Sequence, residues 1–143
     1  MIKRPKIRYI SKILPNAILL DAAQGVLFDR IINISPKDAL VVVSFYPYTK
    51  MTLQVAQYFR EKEGCRVITI TDGILSPSAQ ISDFFIQVKT NSQSFVTSHT
   101  AAVCLINCLI AGIAMTNSKR SIKALKKIET KLPHWDTWAV KRD

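Results

Sequence analysis

The sequence predicts an α/β fold: a three-layer αβα sandwich built on a mostly parallel sheet. Three observations lead there. Short β-branched or aromatic runs alternate with longer amphipathic ones between residues 16 and 88, the pattern of βαβ units. One short run, ALVVV at 39–43, is apolar at every position, as strands covered on both faces are. The short runs are also bounded by turn residues.

In chain order, Asn16–Ala22 (NAILLDA) reads as the first strand, and Gln24–Ile34 as a helix with Leu27, Ile31 and Ile34 on one face. Ala39–Phe45 is the second strand. Lys50–Glu63 is a helix burying Val55, Ala56 and Phe59, with Thr49 placed to cap its start and Gly64 to end it. Arg66–Thr71 (RVITIT) and Asp83–Val88 (DFFIQV) complete four expected strands. A polar loop, Lys89–Ser94, then leads into a long helix, Phe95–Thr116. A basic amphipathic helix, Lys119–Lys131, follows, with Ile122, Leu125, Ile128 and Leu132 as its apolar stripe. The tail PHWDTWAVKRD either docks or frays. The division expected is an α/β domain over residues 1–116 and a basic helix and tail over 117–143, packed on that domain or on a partner.

A chain of 143 residues, 48% hydrophobic, is one domain long and can bury a core. Its net charge of +10 suggests nucleic acid at first. The distribution argues otherwise. Residues 1–12 carry five bases and no acid, residues 118–131 six bases and one acid, while residues 13–117 hold seven of each. The body is neutral, no recognition motif accompanies the basic ends, and no direct DNA binding by this chain is expected. Three cysteines without a CxxC pair, and no signal peptide, point to a reducing cytoplasm. Cys104 and Cys108 share a helix face, but no His or Asp completes a metal site beside them, so they read as small buried side chains and no metal or cofactor is expected. The apolar run Ala101–Met115 spans about 22 Å as a helix, short of the ~30 Å of a bilayer core, and reads as a buried helix.

The functional clue is the segment SFYPYTKMT, residues 44–52, joining a strand directly to a helix. Amides at a helix start lack intrahelical partners and lie at the positive end of its dipole, so they favour an anion. Ser44, Tyr46, Tyr48, Thr49 and Thr52 add hydroxyls there. In an open parallel sheet ligands gather beyond the carboxyl ends of the strands. The turn Thr71-Asp72-Gly73 and the 89–94 loop arrive at the same end.

The stretch from Ser44 to Val88 resembles the sugar isomerase (SIS) domain in the order of its parts. A strand ends in Ser, a hydroxyl loop ends in T-x-x-T, a helix closes at Gly, and a strand ending in TD leads to an SP-x-A turn and another strand. QSFVTSHTAAVCLINCLIAGI is similar to the family's next loop and long helix, and the Tyr-Pro-Tyr loop looks most like the effector-binding half of RpiR-type transcriptional regulators. The resemblance covers roughly residues 6–116. It implies a phosphosugar loop of Ser44, Tyr46, Thr49 and Thr52, with Ser94 and Ser98 approaching from the later loop, and it implies a homodimer. Tyr46 and Pro47 stand where the isomerases have Ser-Gly, which reshapes the cradle. The family's first strand and its Gly-x-Gly-x-Ser loop have no counterpart here: the chain starts in the first helix, Pro5–Leu14, as an N-terminally truncated domain would. The helix-turn-helix domain of such regulators is not in this sequence either. The expected function is therefore a non-catalytic effector domain that binds a sugar phosphate. The alternatives are an aldose–ketose isomerase using His99 or Asp72, and a remnant that binds nothing.

Overall fold

A computed structural model describes residues 17–20, 27–32, 34–93, 95–116 and 118–130. Its elements are α1 (Leu27–Ile31), β1 (Ala39–Val43), α2 (Lys50–Glu61), β2 (Arg66–Thr71), α3 (Pro77–Ile81), β3 (Phe84–Gln87), α4 (Thr100–Thr116) and α5 (Ser118–Glu129). The strands form one parallel sheet in the order β1-β2-β3. Ala39 pairs with Arg66 and Val43 with Ile70, and on the other side Ile68 pairs with Phe84 and Thr71 with Gln87. The predicted α/β class with a parallel sheet therefore holds.

Among the described residues three of the four expected strands are present. The segment expected to be the first is not one: residues 17–20 adopt no regular structure, and the rest of Asn16–Ala22 lies outside the described residues. The physical reason is pairing. A strand exists by its ladder, and β1 pairs only with β2 among the described residues. Leu20 instead packs against the core as an irregular segment. Among the described residues β1 is the outer strand of the sheet, with Val41 and Val43 exposed on one face.

The central strand β2 buries Val67, Thr69, Ile70 and Thr71. Val42, Ala56, Phe59, Cys65 and Val67 form the core cluster, where α2 lies on the sheet. α2 ends as its sequence predicts. Gly64 takes φ of +64°, the left-handed conformation that glycine adopts without steric cost, and the Cys65 amide reaches back to the Phe59 carbonyl at 2.9 Å. Cys65 Sγ lies 3.0 Å from the Ser35 carbonyl. Before β3, Asp83 pairs twice with Val67: its carboxylate accepts the Val67 amide at 2.7 Å, and its own amide donates to the Val67 carbonyl at 2.9 Å. Ser76 caps α3, accepting the Ala79 amide at 3.2 Å.

Two compact units divide the chain: Leu20–Leu105, which holds the sheet, and Met1–Leu19 with Ile106–Asp143. The long helix begins at Thr100 rather than Phe95. It is less covered than its composition predicts. Ala102 is its one fully buried residue, and Cys104 and Cys108, expected to be buried, are exposed. An uncharged run states that a helix is apolar; it does not supply the surface that covers it. Among the described residues no single helix is long and apolar enough to cross a membrane.

Candidate functional site

Ser44 directly follows β1 and extends its ladder, its amide donating to the Ile70 carbonyl at 3.0 Å, and the residue is buried. The chain then turns through Tyr46 and Pro47, joined by a cis peptide, and enters α2 at Lys50. Thr49 occupies the N-cap position with extended backbone (φ −84°, ψ 125°), but its hydroxyl makes no capping bond. No acidic residue lies in the first turn of α2. The amides there face no competing negative side chain from their own helix. Thr52, half-buried, is one turn further along the same helix.

Asp72, just past the end of β2, organises this loop from outside it. One carboxylate oxygen accepts the Tyr46 amide at 3.1 Å; the other accepts the Tyr48 hydroxyl at 2.7 Å and the Thr71 hydroxyl at 3.1 Å. Partial burial pushes the Asp72 pKa up, yet the bonds from Tyr48, Tyr46 and Thr71 outweigh it and hold the carboxyl below the usual aspartate value. The same contact holds the Tyr48 phenol above its ordinary value, since a phenol donating to a carboxylate resists losing its proton. The turn itself is fixed from β3, where the Gln87 side-chain amide donates to the Asp72 carbonyl at 3.0 Å.

The third segment arrives ahead of α4. The Ser98 amide donates to the Thr90 carbonyl at 3.0 Å, and the Ser98 hydroxyl donates to the Thr100 hydroxyl at 3.1 Å. His99 lies against Phe45 with ring centroids 5.3 Å apart. That contact brings the residues before α4 beside the loop after β1. Ser44, Tyr46, Thr49 and Thr52 are thus gathered on one loop and helix start, with Ser98 next to a residue that touches the loop. Ser94 lies outside the described residues. Tyr46 presents an exposed ring, edge-on to Tyr48 at 6.1 Å between centroids.

Sequence reasoning placed the Tyr48 hydroxyl among the donors of the loop, whereas it is spent on Asp72. It weighed Asp72 only as an acid for the alternative isomerase and missed its hold on the loop. The available signal was an Asp immediately after a strand, at the sheet end where a hydroxyl-rich loop also arrives. Among the described residues no group of His, Cys, Asp or Glu is placed to hold a metal ion.

The SIS domain model matches residues 8–112 of this chain. The chain belongs to the SIS domain family. A comparison with curated protein sequences finds no match. Among solved structures, this SIS domain is similar to the sugar isomerase domain of an RpiR transcription factor from Sphaerobacter thermophilus (21% identity, TM-score 0.74), over 88% of this chain and 72% of that one. It is also similar to the NanR protein of Vibrio vulnificus, solved in complex with ManNAc-6P (18% identity, TM-score 0.67), over 93% of this chain and 53% of NanR. A third similar structure is that of a hypothetical protein (14% identity, TM-score 0.59), matched over 84% of this chain and 70% of its own. The match spans about half of NanR's length. At these identities the likeness shows a shared fold.

Proposed function

We propose that this SIS domain is a sugar-phosphate-binding effector domain of an RpiR-type regulator and carries out no chemistry on its ligand. The observation that carries the reading is the junction of β1 with α2. There a strand ends at a buried Ser44, and a helix begins at a threonine whose hydroxyl is not used for capping, with no acid in the first turn. Such a junction favours a phosphate through amides, hydroxyls and the helix dipole together. In this reading Ser44, Thr49 and Thr52 face the phosphorylated end of the ligand, and Tyr46 and Ser98 flank the sugar. The resemblance to NanR, whose structure holds ManNAc-6P, supports a phosphosugar as the ligand class.

An isomerase would need a general base poised near neutral pH. Asp72 has the opposite character, because three donors hold its carboxyl down. His99 is engaged against Phe45. A sensor needs neither to be reactive. It needs only a ligand that favours one arrangement of the protein over another, here one arrangement of a homodimer. The neutral body of the domain and the lack of a recognition motif agree with a role that leaves DNA contact to other segments.

Thermal melting with a panel of phosphosugars, ManNAc-6P first, tests the reading. A ligand at one hundred times its dissociation constant stabilises the native state by about 2.7 kcal/mol. A raised midpoint with a phosphosugar, and no product after prolonged incubation, is expected. No shift with any member of the panel, or turnover of a sugar phosphate, overturns it.

A further inference from the structure

We propose that Asp72 is a positioning residue for the loop after β1: from the end of β2 it fixes the loop's shape and determines which donors remain to face a ligand. The inference rests on the reading of that loop as the binding site. Asp72 grips residues 24 and 26 positions earlier in the chain, taking a main-chain amide with one oxygen and a side-chain hydroxyl with the other. Both ends of the Tyr46-Pro47-Tyr48 triplet are therefore tied to one carboxylate. Hydrogen bonds to an ionised acceptor are the stronger kind. Asp72 is in turn held through its own carbonyl by Gln87, so the clamp is anchored to the ends of two strands.

The grip sorts the donors of the loop into two sets. The Tyr46 amide and the Tyr48 hydroxyl are consumed by Asp72, and the Ser44 amide by Ile70. The hydroxyls of Ser44, Thr49 and Thr52 and the first amides of α2 lie outside its grasp. Charge sorts the ligand in the same sense. A carboxylate repels a phosphate set over the Tyr46 end of the loop, while the start of α2 attracts one. Asp72 thus directs the phosphate to the helix and leaves the uncharged sugar for the side of the exposed Tyr46 ring.

The variants Asp72→Asn, Asp72→Ala and Tyr48→Phe test this, with ManNAc-6P as the probe in calorimetric titration and inorganic phosphate for comparison. The Tyr46 amide proton, followed by NMR without ligand, is the second readout. Asp72→Ala is expected to weaken ManNAc-6P binding about tenfold. Tyr48→Phe loses less, and adding it to Asp72→Ala costs nothing further, because both act through one contact. The Tyr46 amide resonance moves upfield in both Asp72 variants and stays in place in Tyr48→Phe. Should Asp72→Ala fail to fold, Asp72→Asn and Tyr48→Phe keep the same comparison. Unchanged binding in the Asp72 variants, additive losses, or a Tyr46 amide indifferent to residue 72 overturns the proposal. If the unaltered chain binds no phosphosugar, the binding-site reading falls, and the Tyr46 amide alone decides whether Asp72 holds the loop.

Discussion

Asp72 and Tyr48 share one hydrogen bond, and it makes the fold sensitive to pH in opposite directions. Asp72 titrates below its ordinary value, so its contribution to stability is complete above the unfolded carboxylate pKa of about 3.9 and is lost as pH falls through the lower folded value. Tyr48 titrates above its ordinary value, so its contribution is complete below about pH 10 and is lost as pH rises through the higher folded value. Melting temperatures of the unaltered chain and of Asp72→Asn, measured across pH, are expected to differ fully near neutrality and to converge on the acid side below about pH 4. A constant difference down to the acid limit would place the stabilisation elsewhere. At this scale the sequence was readable where a residue acts on its own neighbours. Gly64 does end α2; Thr49 stands at the N-cap position, but its hydroxyl does not make the expected capping bond. It was not readable where the partner comes from another strand: the Tyr48 hydroxyl meets a carboxylate 24 residues away because β1 and β2 lie side by side.

The strands and helices divide along the same line. β2 and α2 lie close to where their patterns put them, since one carries a β-branched run and the other a stripe at helical spacing. The segment at 16–22 has strand composition and yet residues 17–20 form no strand, because strand preference is a matter of the neighbour that pairs and packs. α4 teaches a similar lesson about burial. Its run of seventeen residues has no charge, but Cys104 and Cys108 lie one turn apart and both are exposed. Cys65, by contrast, is buried in the core, and burial pushes its thiol pKa up. A water-soluble thiol reagent applied to the native chain is expected to modify Cys104 and Cys108 quickly and Cys65 only on unfolding. Labelling of Cys65 at the same rate as the other two would contradict the core described here.

The parallel α/β architecture was legible because strand and helix alternate along residues 39–88. So was the sheet end at which the loops converge, since topology places them there. The number of strands was not: among the described residues β1 pairs with β2 alone. The five residues of β1, ALVVV, include no charge and no proline, and Val41 and Val43 are exposed. Natural proteins guard such edges with lysine, proline or a covering element, since an unguarded one is a template on which another chain can add a strand. Among the described residues β1 is paired on one side only, so with rising concentration strand-to-strand association through β1 is the expected route to aggregates. Val41→Lys is expected to raise the concentration at which light scattering first increases, with little change in melting temperature, and an unchanged threshold would show that the aggregates grow from another surface.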